Sequence, residues 1–167
     1  MSNDLYELLK GVKDGTVPVE DAAFKLKAKP FEDIGYAKVD LHRKLRQGAA
    51  EVIYGAGKTP KQIIGIAETM LENGQNTILI TRLSEESARE VQKACPLRYK
   101  KDARCGIIGE MPVPDGIGKI VVATGGTSDI PPPEEAALTA ALMGNQLVPL
   151  YALAVAGLHR TPAHLDD

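Results

Sequence analysis

The chain has 167 residues, enough for one ordinary domain or for a small domain joined to part of another. Its 44% hydrophobic and 25% charged residues exclude a disordered chain, and a net charge of -2 gives no general attraction to nucleic acid or to anionic membranes. Aromatics are only 4%, with no Trp, so the core must rest on Ile, Val, Leu and Ala, the palette of buried parallel strands and their covering helices. Cys95 and Cys105 fit no metal-ligand or redox spacing, no apolar run is long enough to span a bilayer, and no cleavable apolar leader is recognisable. A reducing cytoplasm is the expected compartment, with two unpaired thiols and no metal site.

In chain order, Leu5, Leu8, Leu9 and Val12 recur at helical spacing up to Gly15, and Pro18 opens a second helical stretch with Ala22, Ala23 and Leu26. These N-terminal helices, residues 1–30, are expected to pack on each other or on a neighbouring subunit. Residues 31–41 alternate Ile34, Tyr36, Lys38 and Asp40 with Gly35, Ala37, Val39 and Leu41, the pattern of a half-exposed extended segment. The basic run His42, Arg43, Lys44 and Arg46 follows. Glu51-Val52-Ile53-Tyr54 then reads as a short strand, and Gly55-Ala56-Gly57-Lys58 as a loop that needs glycine freedom. Thr59-Pro60-Lys61-Gln62 is a capping-box signature, and the helix it opens should bury Ile63, Ile64, Ala67, Met70 and Leu71 and end at Gly74.

Thr77 to Thr81 reads as a buried strand, and Ser84 caps a helix running to about Ala94, completing a strand-helix-strand-helix module. A basic connecting segment leads to a strand at Gly106 to Gly109. Residues 111–118 hold two Pro and two Gly, a linker composition, and mark the boundary between an α/β N-terminal domain, residues 31–110, and a second unit, residues 119–167. In that unit Lys119 to Ala123 is an apolar strand, Pro132 to Met143 a helix and Leu147 to Val155 another strand. The fold class is α/β: a small N-terminal α/β domain followed by the start of a parallel-sheet, three-layer domain. Two parallel strands and one helix cannot cover both sheet faces, so this C-terminal part is expected to be frayed, aggregation-prone or completed by another chain.

Three stretches carry groups suited to chemistry. Gly55, Gly57 and Lys58 lead into a helix N-terminus, where backbone N–H groups and the helix dipole favour a phosphate or carboxylate; Lys58 and Arg46 would complete the charge balance. A nucleoside-triphosphate loop is excluded because Val52 occupies the position of its first glycine. A tight strand-to-helix turn with solvated basic side chains accounts for the same residues without a ligand. The second stretch, Gly125, Gly126, Thr127, Ser128 and Asp129, follows an apolar strand at the end where open parallel sheets bind ligands; plain helix capping by Ser128 or Asp129 is its alternative. In the third, His159 and Arg160 end the last strand, which a right-handed βαβ unit would bring beside the first, so that both corners open on one crevice. His159 could relay a proton and Arg160 could hold a phosphate or carboxylate, or the two could simply be solvated at a chain end.

Together, His42-Arg43-Lys44-Leu45-Arg46-Gln47-Gly48 and Glu51-Val52-Ile53-Tyr54-Gly55-Ala56-Gly57-Lys58-Thr59-Pro60 resemble the N-terminal domain of the nickel-pincer-nucleotide biosynthesis carboxylase-hydrolase. The turn 125–129 and the stretch 156–160 look like the paired loops of its carboxylase domain, which is similar to phosphoribosylaminoimidazole carboxylase of purine biosynthesis. The resemblance implies carboxylation of the pyridinium ring of nicotinic acid adenine dinucleotide, with carbon dioxide or bicarbonate as co-substrate, and phosphoanhydride hydrolysis releasing AMP. It implies magnesium on the phosphates, a homo-oligomeric assembly, and a thiol that adds to the ring. By the same resemblance Ser128 and Asp129 hold ribose or phosphate, His159 and Arg160 line the ring and carboxylate side, and Arg46 and Lys58 contact anions.

Neither Cys95 nor Cys105 matches the position of that thiol, and Tyr151-Ala152-Leu153-Ala154 stands where relatives carry an Asp and a Gly. The chain is therefore expected to stop before its catalytic domain is complete. Two other functions compete: a non-catalytic nucleotide-binding or assembly module, and an aminoimidazole ribonucleotide carboxylase or mutase, suggested by His159-Arg160-Thr161-Pro162.

Overall fold

The computed structural model describes residues 4–27, 30–125 and 130–150. Helices α1 (Asp4–Lys13) and α2 (Val19–Lys27) pack on each other, burying Leu8 and Ala22. The alternating segment folds as a hairpin of β1 (Phe31–Asp33) and β2 (Lys38–Asp40), turned at Gly35, whose N–H donates to Asp33 Oδ1 at 2.9 Å. The basic run is helical: α3 (Arg43–Gln47) ends on Gly48 at φ 71, the left-handed conformation that glycine adopts without strain.

The capping box forms as expected. Gln62 N–H donates to Thr59 Oγ1, Thr59 N–H donates to Gln62 Oε1, and α4 (Pro60–Glu72) starts there. Its buried stripe is Ile63, Ile66, Ala67, Thr69 and Met70, so the helix is rotated from the expected face and leaves Leu71 39% exposed. Tyr36 accounts for part of the rotation: its hydroxyl lies where a Cβ on Gly65 would stand, so the hairpin covers that side of α4. Ser84 caps α5 (Glu85–Gln92) by accepting the Ser87 N–H at 3.1 Å.

Four strands form the central sheet in the order β3-β4-β6-β5. β3 (Ile53–Tyr54) pairs parallel with β4 (Ile78–Thr81), as a strand-helix-strand unit requires, but β6 (Cys105–Ile108) runs antiparallel to β4, and β5 (Leu97–Lys100) antiparallel to β6. The segment before Lys101, expected to be a connection, is thus an edge strand that buries Leu97, half-buries Tyr99 and turns Arg98 and Lys100 outward. The period-two geometry sends Ile78, Ile80 and Ile108 to one face, under α4 and α5, and Leu79, Cys105 and Ile107 to the other.

That second face is covered by α6 (Pro131–Leu142), through Leu138 and Leu142. Behind α6, β7 (Lys119–Ala123) pairs parallel with β8 (Gln146–Leu150), with Lys119 opposite Gln146 and Ala123 opposite Leu150. Helix α6 contacts the central sheet, β7 and β8, which suits a sequence whose Ala136, Ala137, Leu138, Ala140, Ala141 and Leu142 leave no continuous polar stripe.

Candidate functional site

The carboxyl ends of β3 and β4 form the corner where the first candidate stretch lies. Gly55 is buried, and its N–H donates to the Thr81 carbonyl at 2.7 Å. A Cβ there would stand 2.9 Å from that carbonyl oxygen, so the close approach of the two strand ends requires glycine. Gly57 has φ 77 and turns the chain into α4. The half-buried Lys58 donates its backbone N–H to Gly55 O at 3.1 Å, while its side chain makes no ion pair among the described residues.

The N-terminus of α4 is largely self-satisfied: Pro60 brings no N–H, and the Gln62 N–H is held by Thr59. Among the described residues, Lys58 brings to this corner an ammonium without an ion-pair partner. Arg46 belongs to the helical run before β3. Its helix, α3, borders a cleft of about 450 Å³ at the amino ends of β3 and β4, lined among others by Lys44, Glu51, Asn76, Thr77 and Met143. The side chain of Arg46 lies outside the described residues.

A residue that the sequence did not single out completes the corner. Arg82, directly after β4, has φ 52, a left-handed conformation that side-chain-bearing residues rarely adopt. Its Nε donates to Glu135 Oε2 at 2.7 Å, joining the end of β4 to the first turns of α6. Gly125, two residues after β7, begins the second stretch; Gly126, Thr127, Ser128 and Asp129 lie outside the described residues, as do His159 and Arg160. The two strands whose ends carry those stretches are paired, parallel and in register through Leu150.

Both thiols are enclosed. Cys105 is fully buried beneath α6, and its S–H donates to the Ala103 carbonyl at 3.2 Å. Burial, then the charge of Glu135, push its pKa up to about 11 against the opposing pull of Arg82. Cys95, under the α4 and α5 face, is also raised, by burial and then by Glu68. A thiol that stays protonated is a poor nucleophile, so neither is prepared to add to an electron-poor ring. Because the folded chain holds the Cys105 proton above its ordinary pKa of 9.0, the unfolded chain releases it first. The contribution of this group to stability is complete below pH 9.0 and is lost as pH rises through about 11. Urea unfolding of the parent and of Cys105→Ala across that window should show the parent losing stability more steeply, by up to about 1.4 kcal/mol per pH unit.

No cluster of three or more His, Cys, Asp or Glu side chains capable of holding a metal occurs among the described residues. No described helix is long and apolar enough to cross a membrane.

The segment that forms the hairpin, α4, α5 and the four-stranded sheet, residues 31–110, matches the family described as the LarB/PurE-like N-terminal domain. An uncharacterized protein of Methanocaldococcus jannaschii is 32% identical over 167 residues, an alignment covering 96% of this chain. The chain spans 65% of that relative's length.

Proposed function

We propose that the chain is the nucleotide-contacting part of an enzyme that carboxylates the pyridinium ring of nicotinic acid adenine dinucleotide and hydrolyses its phosphoanhydride. Carbon dioxide or bicarbonate would supply the carboxyl group, a ring proton would be lost as the carbon–carbon bond forms, and water would cleave the phosphoanhydride to release AMP. The observation that carries this reading is the match of residues 31–110 to a LarB/PurE-like N-terminal domain. It is supported by the corner in which Lys58 stands without an ion-pair partner among the described residues. In this reading Lys58 contacts the dinucleotide phosphates, the turn 125–129 holds ribose or phosphate, and His159 and Arg160 line the ring. The nucleophilic thiol comes from polypeptide other than Cys95 and Cys105.

The burial of both thiols favours a second reading, in which the same corner binds a nucleotide and breaks no bond. Mass-spectrometric assay of AMP from nicotinic acid adenine dinucleotide, with and without bicarbonate, separates the two. Bicarbonate-dependent AMP formation supports the enzyme, and binding without AMP supports the module. Under either reading Lys58→Ala should weaken dinucleotide binding about tenfold, the loss of one charge-assisted contact to phosphate, as measured by calorimetry. Equal affinity in parent and variant would remove Lys58 from the site.

A further inference from the structure

Helix α6 is seated on its sheet by much less than the helices on the opposite face. Under α4 and α5, Ile63, Ala67, Met70, Ile78, Ile80 and Val91 form a closed apolar layer. On the other face, α6 contributes the part-exposed Leu138 and Leu142, beside Val52 and Met111, to the cover over the buried Leu79, Ala103, Cys105 and Ile107. Clefts border the helix: one of about 450 Å³ at its carboxyl end, by Leu142 and Met143, and one of about 440 Å³ between Lys100, Ala103 and the flank bearing Glu134, Leu138 and Ala141. The ion pair from Arg82 to Glu135 spans the junction, and Arg82 is held in a backbone conformation that would suit glycine better.

We infer that the pair of Arg82 and Glu135 is a latch holding α6, with β7 and β8, against the central sheet, and that breaking it opens this face alone and uncovers Cys105. An element with few buried apolar contacts belongs to the low-stability end of a fold, where local opening precedes global unfolding. The side chains of Arg82 and Glu135 are 52% and 22% exposed, so salt screens their attraction and should favour the open form. The latch joins the strand end next to Lys58 to the helix after Gly125, and so fixes how those two corners stand to each other. It holds whether or not a nucleotide binds there.

The two cysteines report on opposite faces, Cys105 under α6 and Cys95 under α4 and α5. Cleavage by trypsin at Lys93, Arg98 and Arg104 puts them on separate peptides, so N-ethylmaleimide labelling of the folded 167-residue chain can be timed for each by mass spectrometry. The expected result is that Arg82→Gly and Glu135→Gln each speed Cys105 labelling about threefold, the scale of a part-exposed ion pair, with Cys95 unchanged. Arg82→Gly keeps the left-handed backbone accessible, so its effect belongs to the lost charge. A direct electrostatic effect on the thiol would move the variants in opposite directions, because Glu135 raises and Arg82 lowers its pKa; a latch speeds both. The exchanged pair, Arg82→Glu with Glu135→Arg, should restore the parent rate. Unchanged Cys105 labelling in both single variants, opposite changes in the two, or Cys95 rising in step with Cys105 would overturn the latch.

Discussion

Ile80→Ala is expected to destabilise the chain by roughly 2–5 kcal/mol, read from the urea midpoint at constant slope. Ile80 is 0% exposed and lies in β4, an inner strand, opposite Ile53 on one side and Gly106 on the other. Gly106 has no side chain to fill a vacancy, and the space above it is already occupied: a Cβ there would meet Leu97 Cδ1 at 2.6 Å and Leu83 Cδ2 at 2.9 Å. Ile78, Ile80 and Ile108 form a row of stiff β-branched side chains under α4, so the cavity left by truncation has few neighbours able to collapse into it. Leu71→Ala, on the exposed flank of the same helix, should cost less than about 1 kcal/mol. Similar losses in the two variants would contradict the burial described.

Gly109→Ala should cost about 3 kcal/mol or more, because backbone strain and overpacking act together. Gly109 has φ 90, and an added Cβ would overlap the Asn76 carbonyl oxygen and stand 3.0 Å from its carbon and 3.2 Å from Thr77 Cα. These are backbone atoms directly before β4. Moving them would disturb the pairing of Ile78 with Ile108 and the 2.7 Å hydrogen bond from Thr77 Oγ1 to Glu110 O. Gly57 has φ 77 with nothing within 4 Å, so Gly57→Ala should carry only the conformational cost of about 1–2 kcal/mol. Urea titration of both variants tests the contrast, and a Gly109→Ala loss no larger than that of Gly57→Ala would show that the backbone at Asn76 yields.

Local chemistry was legible in the residues themselves. The Thr59 and Ser84 caps, the glycine requirement of the turn after Tyr54, and the strand, helix and strand of β7, α6 and β8 all rest on side-chain-to-backbone bonding or short-range periodicity. β5 was missed because Leu97-Arg98-Tyr99-Lys100 is short and half-charged, and only pairing with β6 makes it a strand. The run containing Arg43 and Lys44, to which no element was assigned from its residues, is helical; Arg43 also lies 4.0 Å from Glu51. In the candidate site, Gly55, Gly57 and Lys58 were readable from their order in the chain, whereas Arg82 was not, because its partner lies on a distant helix.

The sequence by itself determined an α/β chain, its helix starts, its tight turns and the apolar strands, because these depend on interactions within a few residues. Tertiary structure alone decided the antiparallel half of the central sheet, the rotation of α4 away from Leu71 and the meeting of Arg82 with Glu135. Each of those outcomes depends on which surfaces remain uncovered once the local elements exist. That is a property of packing between distant segments, and no short pattern of residues encodes it.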